Sequence, residues 1–254
     1  MAINWTEAQK NEKSFWEDIY IKDNTDTIYS KTNSSGWKKF AIHVMERNKI
    51  KLDDLNNKTI LDLGSGPGGV AKGIYELLKN NEISNVKIIA VDPLMDFYKN
   101  EIGILKEDEN LKLLTNKGES IDINDETIDL IFSTNVLDHC DNPKKLIDES
   151  YRILKKDGIF FPSLHLVYSY LGPISGLIKY FDTNHPHHFT YKKIQRKLRE
   201  RFQEIDTLNK YSIKHDQKNF TFKNIFKSKN YLRSLKRFIS NYVLYTSYFR
   251  CIKK

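Results

Sequence analysis

Short apolar runs alternate with segments of helical periodicity along most of the chain. The runs are four to six residues long and predict buried strands, and they lie at 60–63, 86–91, 111–114, 128–132 and 159–164. Between most of them, apolar positions recur every three or four residues, which predicts helices over 70–79, 94–105 and 143–155. Strands alternating with helices predict an α/β protein, in which a mostly parallel sheet carries helices on both faces.

Two further helices are predicted before the first strand. Thr6 can cap a helix that runs to about Tyr20, and the spacing of the apolar residues over 37–45 predicts a second, amphipathic helix. Residues 1–45 precede the sheet and hold all three tryptophans of the chain. This arrangement predicts an N-terminal helical lid over the sheet.

The net charge of +8 is concentrated at the C-terminal end. Residues 210–254 contain 12 of the 41 Lys and Arg residues and a single acidic residue, so the rest of the chain is slightly acidic. Within this end, 212–243 combines a basic face with an apolar, aromatic stripe. Such a segment fits a helix packed on the sheet edge, a contact with an anionic membrane surface, or nucleic-acid binding, in that order of preference.

Cysteine content and uncharged stretches bear on the cellular compartment. Two cysteines, Cys140 and Cys251, exclude a disulfide scaffold and a four-cysteine zinc site and fit a reducing compartment. The first seven residues lack the order of a signal peptide. The uncharged stretch at 159–178 contains prolines and glycines, so it predicts a strand and a loop rather than a membrane span. We therefore expect a cytoplasmic protein, with peripheral membrane contact as an option for its basic end.

A glycine-rich turn follows the first predicted strand and leads directly into a helix. Gly64, Gly66 and Gly69 have the G-x-G-x-x-G spacing, which lets a ligand approach bare backbone and presents a helix N-terminus to an anionic group. Asp92 ends the second strand, roughly 20 residues past the turn, where a carboxylate can accept hydrogen bonds from both hydroxyls of a ribose. Together these features predict a bound nucleoside, and they fit more than one class of nucleoside cofactor.

The sequence around this turn resembles the first motif of class I S-adenosylmethionine (SAM)-dependent methyltransferases, in which an acidic residue stands two positions before a G-x-G turn. The resemblance rests on Leu-Asp-Leu-Gly-Ser-Gly-Pro-Gly-Gly at 61–69, and it continues in the fourth strand at 128–139 and in the helix and turn at 142–158. It covers residues 58–205 and is close to the branch that methylates small molecules, including quinone precursors, sugars and lipids. The family's usual Pro-Gly-Gly turn is Lys-Asp-Gly here, at 156–158.

The resemblance implies one methyltransferase domain over residues 1–254, with its SAM-binding core at 58–210. The implied fold is Rossmann-like, a seven-stranded, mostly parallel sheet with helices on both faces. Residues 202–208 are its sixth strand, and 245–252 are an antiparallel last strand that hairpins back, so that 212–243 is an insertion. The implied activity is methyl transfer from SAM to an oxygen of a small-molecule or lipid-linked acceptor, with S-adenosylhomocysteine (SAH) as the cofactor product.

The resemblance also implies roles for individual residues. Asp62 is implied near the amino group of the methionine part of SAM, Asp92 at the ribose, and Asn135 below the methionine carboxylate. The other implied cofactor-binding residues are Gly64, Ser65 and Gly66 along the methionine part, Pro93, Leu94 and Met95 beside the adenine, and Glu119 and Ser120 at the adenine amino group.

An oxygen acceptor needs a group that takes its proton, and histidine is suited to this near pH 7. The candidates, in order, are His165 at the end of the fifth strand, His188 in a His-His-Phe-Thr segment similar to one in the family, and His139 after the fourth strand. His185 and His187 lie beside His188, but no acidic or cysteine partner is evident, so we expect no metal. If the acceptor atom is nitrogen or an acidic carbon, none of these histidines need act as a base.

Two other function classes stay open. An NAD(P)-dependent oxidoreductase shares the glycine spacing, and a SAM-fold module could bind without turnover. Nucleic acid ranks last as a substrate, because the Asn/Asp-Pro-Pro-Tyr tetrapeptide of amino-group DNA and RNA methylases is replaced by Ser-Thr-Asn-Val at 133–136.

Overall fold

The helices and strands alternate as the apolar pattern predicts. The computed structural model describes residues 5–22, 34–80, 82–174, 186–212 and 243–254. Within these ranges the α-helices are α1 (Trp5–Glu17), α2 (Ser34–Arg47), α3 (Gly69–Lys79), α4 (Pro143–Ile153) and α5 (Tyr191–Arg199). The strands are β1 (Thr59–Leu63), β2 (Lys87–Val91), β3 (Leu111–Leu114), β4 (Ile128–Thr134), β5 (Leu154–Val167), β6 (Phe189–Thr190), β7 (Glu204–Ser212) and β8 (Leu244–Ile252).

The strands form one sheet with the order β3-β2-β1-β4-β5-β8-β7, and the two-residue β6 pairs with β5 beside this path. Neighbours from β3 to β5 pair in parallel, whereas β8 runs antiparallel to both β5 and β7. The predicted Rossmann-like fold class is therefore confirmed, with β6 as an addition. The chain order reverses around β1, and open α/β sheets bind ligands in the crevice at the carboxyl ends of the strands at such a point.

Apolar side chains fill both sides of the sheet. On one side, α2 and α3 pack on the strands through buried residues such as Trp37 and Ile74. On the other side, α4 and α5 do the same through Leu146 and Ile194. Strands covered on both faces are apolar at consecutive positions, which explains why they appear in the sequence as continuous runs.

The ends of the helices agree only in part with the prediction. Asn142 caps α4 as predicted, because its side-chain oxygen accepts hydrogen bonds from two backbone N–H groups of the first turn, at 3.1 and 3.2 Å. Thr6 is not a cap, since α1 begins one residue earlier. Thr190 precedes α5, but its side chain makes no capping hydrogen bond. The helix predicted over 94–105 is shorter and contains a π-helix at Phe97–Ile102.

The terminal segments are described in part. Residues 213–242 of the insertion predicted at 212–243 lie outside the described residues, so its packing and its contact with membranes stay predictions. Of the predicted lid, α1 and α2 are described.

Among the described helices, none has the length and apolar character needed to cross a membrane. The uncharged stretch begins in β5, as predicted.

Asp157 lies in the first part of β5, where the pairing with β4 shifts register, and its backbone φ is +61°. A left-handed conformation favours glycine, so Asp157→Gly is expected to stabilise the fold by about 0.5–1 kcal/mol and raise the melting temperature by about 1–4 °C. The neighbouring Lys156 does not have a positive φ, so Lys156→Gly is expected to lower the melting temperature. Thermal unfolding of both variants measures the difference. A fall in both melting temperatures would contradict the prediction for Asp157.

Candidate functional site

A cavity of about 450 Å³ lies at the carboxyl ends of β1, β2 and β4. This volume is typical of a small-molecule site. The glycine turn and Asp92 line it from the sheet, and residues of α1 and α2 line it as well, among them Trp5, Trp16 and Trp37. The features that predict a bound nucleoside therefore share one cavity.

The glycine turn after β1 is held by hydrogen bonds to β2. The N–H groups of Gly64 and Ser65 donate to the carbonyl oxygen of Val91 at 2.8 and 3.1 Å. Gly64 has a φ of +67°, and a Cβ there would lie 2.4 Å from Cγ2 of Val136, so a larger residue does not fit. Since Gly64 and Gly66 carry no side chain, a ligand in the cavity can approach the backbone at this point.

Asp62 lies at the N-terminus of α3, where we expected a ligand's anionic group. Its Oδ2 atom accepts a hydrogen bond from the backbone N–H of Ala71 at 2.7 Å, and the side chain is 2% exposed. A Cβ on Gly69 would lie 2.9 Å from the same oxygen, so glycine permits this contact. The expectation of a helix N-terminus free for a ligand anion is therefore wrong, because the protein supplies the anion itself.

The environment of Asp62 opposes its ionisation. Burial raises the pKa of Asp62 to about 7, and hydrogen bonds from the backbone N–H groups of Ala71 and Val70 limit this rise. A positively charged ligand group beside the carboxylate would favour the ionised form. This side chain is thus suited to bind an ammonium group.

Asp92 supports the glycine turn from the end of β2. Its Oδ2 atom accepts from the N–H of Gly66 at 2.9 Å, and its Oδ1 atom accepts from the N–H of Leu94 at 2.8 Å. Each oxygen keeps a further lone pair, which a hydroxyl of a ligand can use. Burial, and then the negative charge of Glu12, raise the pKa of Asp92 to about 7.

Asn135 follows β4 and lines the cavity in a left-handed conformation, with φ +57°. Its backbone N–H donates to the carbonyl oxygen of Ser163 on β5 at 2.8 Å. The side-chain Oδ1 atom is buried and has no hydrogen-bond partner. An unpaired buried acceptor costs about 1–3 kcal/mol, so Oδ1 indicates a donor from a ligand or a bound water at this point.

The predicted adenine-binding residues divide into two groups. Pro93 and Glu119 line the cavity, and Glu119 Oε1 accepts from the backbone N–H of the residue that caps α4, at 2.9 Å. Leu94 and Met95 are not among the lining residues, and Met95 is buried in the core beside α3. Ser120 is exposed and also lies outside the lining.

Of the three histidines predicted as possible bases, His139 lines the cavity, and the other two do not. The ring of His165 is turned towards β8, where its Nδ1 atom lies 3.1 Å from Oγ1 of Thr246. His188 precedes β6, and His185 lies outside the described residues. The geometry therefore favours His139, which the sequence ranks last. Within the described ranges, no group of three His, Cys, Asp or Glu side chains is arranged to hold a metal ion.

The lid predicted over residues 1–45 includes α1, but the sequence pattern does not reveal which residues of this helix face the cavity. Trp5, Gln9, Glu12 and Trp16 all line the cavity, and their spacing places them on one face of the helix. These four residues are termed the roof stripe. Trp16 Cζ2 lies 3.9 Å from the position of a Cβ on Gly66, so the roof stripe faces the glycine turn. Its two polar members interrupt the apolar spacing, and this hides the stripe from an analysis of hydrophobic periodicity.

Comparison with known sequences agrees with this site. Residues 61–161 match the model of a family described as a methyltransferase domain. An uncharacterised protein of Methanocaldococcus jannaschii is 33% identical over 98 residues, which cover 39% of this chain and 40% of that protein. The match thus spans less than half the length of that curated relative.

Solved structures share the fold. Phosphoethanolamine N-methyltransferase 2 of Haemonchus contortus, in complex with phosphomonomethylethanolamine and SAH, is 15% identical, with a TM-score of 0.62 over 99% of this chain and 60% of that one. The YcgJ protein of Bacillus subtilis is 17% identical, with a TM-score of 0.57 over 84% and 99%. The fold is Rossmann-like, with a cavity at the carboxyl ends of its parallel strands. Within this fold, residues 61–161 are similar to a methyltransferase domain.

Proposed function

We propose that the protein transfers the methyl group of SAM to an oxygen of a small-molecule or lipid-linked acceptor. The observation that carries this proposal is the pair of buried carboxylates, Asp62 and Asp92, on either side of the bare glycine turn. Asp62 already occupies the N-terminus of α3, so the pyrophosphate of NAD(P) would meet a buried carboxylate there. The same carboxylate attracts the ammonium group of SAM. The site thus favours SAM over a dinucleotide.

The residues around the cavity fit the groups of SAM. Asp62 would hold the amino group, and the two oxygens of Asp92 would accept from the ribose hydroxyls. Asn135 Oδ1, buried without a partner, would accept a hydrogen bond in the same cavity. When bound, SAM supplies a methyl group on a cationic sulfur. The protein's part is to bind and orient the cofactor, because in-line displacement depends chiefly on alignment.

The acceptor side of the cavity combines aromatic side chains with His139. Trp5, Phe15, Trp37 and Phe40 line the cavity and would exclude water from the reacting groups. Holding two reactants in place can supply ~7–11 kcal/mol of the reduction in the barrier. His139 lines the same cavity and can take the proton of an acceptor hydroxyl. Aromatic side chains and a histidine in one cavity suit a small or lipid-linked alcohol or phenol.

The test is incubation with methyl-labelled SAM and a cell extract, followed by fractionation of the labelled products. Label is expected in the small-molecule or lipid fraction. His139→Gln is expected to lower the rate of transfer about 100-fold or more at pH 7, since general-base catalysis contributes about that much, while SAH affinity measured by calorimetry stays unchanged. His43→Gln, on the exposed surface of α2, is the matched control and is expected to behave as wild type.

Other outcomes separate the alternatives. Label in protein or nucleic acid would contradict a small-molecule acceptor. SAH binding without transfer to any fraction would indicate a non-catalytic binding module. Binding of NADPH in place of SAH would indicate an oxidoreductase. A wild-type rate in His139→Gln would remove His139 as the base.

A further inference from the structure

The cavity is strongly acidic. Among the described residues, its lining holds four carboxylates, from Glu12, Asp62, Asp92 and Glu119, and one lysine, Lys117. The Nζ atom of Lys117 lies over the ring of Trp5, 3.8 Å from its centroid. In the described part of the chain, no lysine or arginine forms an ion pair with Glu12, Asp62 or Asp92. The field in the cavity therefore favours a positively charged ligand.

Glu12 differs from the other carboxylates because it comes from the roof stripe rather than from the sheet. Glu7 and Glu17, on the same helix, do not line the cavity. Glu12 is close enough to Asp92 for its negative charge to act on that buried carboxylate. A second roof-stripe acceptor, Gln9 Oε1, is buried without a hydrogen-bond partner. Burial raises the pKa of Glu12, so its charged form is disfavoured in an empty cavity. A cationic ligand between the roof and the acidic floor would favour the ionised carboxylate and would be held by it.

We propose that Glu12 is a specificity-determining residue that favours the cationic cofactor SAM over its neutral demethylated product. This inference rests on the proposed function. SAM and SAH share every group that Asp62, Asp92 and Asn135 would hold, and they differ in the methyl group and the positive charge on sulfur. A carboxylate in the roof distinguishes the two by charge. Loss of the methyl removes the positive charge on sulfur and leaves only the ammonium group that Asp62 would hold, which weakens the hold of the roof on the product and favours its release.

The test is calorimetric titration with SAM, with SAH, and with sinefungin, an analogue in which a carbon that bears an amine replaces the methylated sulfur. Glu12→Gln keeps the size of the side chain and removes its charge. It is expected to weaken the binding of SAM and sinefungin about tenfold, as Coulomb attraction at an intermediate effective dielectric implies, and to change SAH affinity less than twofold. Glu7→Gln, exposed on the same helix, is the matched control and is expected to change none of the three.

The outcomes distinguish this inference from the proposed function. Wild-type protein that binds none of the three ligands would refute both. Wild-type protein that binds SAM and SAH, together with a Glu12→Gln variant that loses both equally or loses neither, would overturn the role of Glu12 alone. Glu12→Asp, which keeps the charge, is expected to keep the preference for SAM and sinefungin. Loss of that preference in Glu12→Asp, with helix content unchanged by circular dichroism, would also overturn the assignment.

Discussion

Replacing Asp92 with asparagine is expected to weaken SAH binding about 100-fold or more. The side chain is 6% exposed, and its two oxygens accept the backbone N–H groups of Gly66 and Leu94. An amide can satisfy only one of these N–H groups, and it removes a charged acceptor from the ribose position. Each hydrogen bond to a charged group contributes about 1.5–3 kcal/mol. The loss of the two that the ribose hydroxyls would donate to the carboxylate therefore accounts for an affinity about 100-fold weaker.

The same substitution is expected to become more stabilising for the ligand-free protein as the pH rises. Burial, and then the charge of Glu12, raise the pKa of Asp92 to about 7, compared with about 3.9 in an unfolded chain. Between these pH values the folded state binds a proton that the unfolded state does not, so this group contributes less to the free energy of unfolding as pH rises. Asparagine does not titrate. The free energy of unfolding of the Asp92→Asn variant relative to wild type therefore grows by about 2–3 kcal/mol between pH 5 and pH 8.

Calorimetry with SAH and thermal unfolding at pH 5 and pH 8 measure both effects. The difference in melting temperature between variant and wild type is expected to rise by about 4–10 °C across this range. Asp96→Asn, at an exposed carboxylate outside the cavity lining, is the matched control. Wild-type SAH affinity in Asp92→Asn would remove Asp92 from the site, and an equal difference at both pH values would contradict the titration.

Gly73→Ala is expected to destabilise the fold by about 2 kcal/mol and lower the melting temperature by about 4–8 °C. Gly73 lies in α3 where α2 packs against it, and a Cβ there would lie 2.3 Å from the carbonyl oxygen of Trp37 and 2.4 Å from Cβ of Ala41. The added methyl must push the backbone of α2 away. Overpacking costs about 1–3 kcal/mol, and the contact with a backbone oxygen places this site at about 3 kcal/mol; the better helix propensity of alanine offsets about 1 kcal/mol of that.

The displacement is expected to reach the cavity, because Trp37 lines it. SAH affinity should fall together with the melting temperature. Gly103→Ala is a useful control, since Gly103 has a φ of +69° but nothing within 4 Å of its Cβ position. It is expected to lose about 1 kcal/mol to backbone strain, with SAH affinity unchanged. Equal effects of the two variants would show that helix contact at Gly73 is not the cause.

The sheet could be predicted from sequence because its strands are covered on both faces. The runs at 60–63 and 111–114 coincide with β1 and β3 to within a residue. β6 could not be predicted, because a strand of two residues is too short to show either an apolar run or an alternation of apolar and polar residues. The 94–105 segment shows why a helical period is ambiguous: apolar residues three and four apart do not distinguish an α-helix from a π-helix.

The residues of the site, too, could be predicted from the sequence only in part. Asp62, Asp92 and Asn135 could be predicted to lie together because each stands at or beside the end of a strand, and strand ends of a parallel sheet meet at one edge. Glu12 could not be predicted, because its place depends on how α1 lies across the sheet. His165 was predicted from its position at the end of β5, but its ring faces Thr246 on β8 instead. Side-chain direction at a strand end depends on the neighbouring strand, which local sequence does not reveal.

The three tryptophans of the chain, Trp5, Trp16 and Trp37, all line the cavity. Indole emission depends on the polarity around the ring and on contact with quenching groups. The tryptophan fluorescence of this protein, selected by excitation at the red edge of the indole band, therefore comes from the walls of its own cavity, with no background from tryptophans elsewhere. A ligand that enters displaces water from these rings and changes the spectrum. Unlabelled candidate acceptors can thus be screened by titration in the presence of SAH, before any product has been identified.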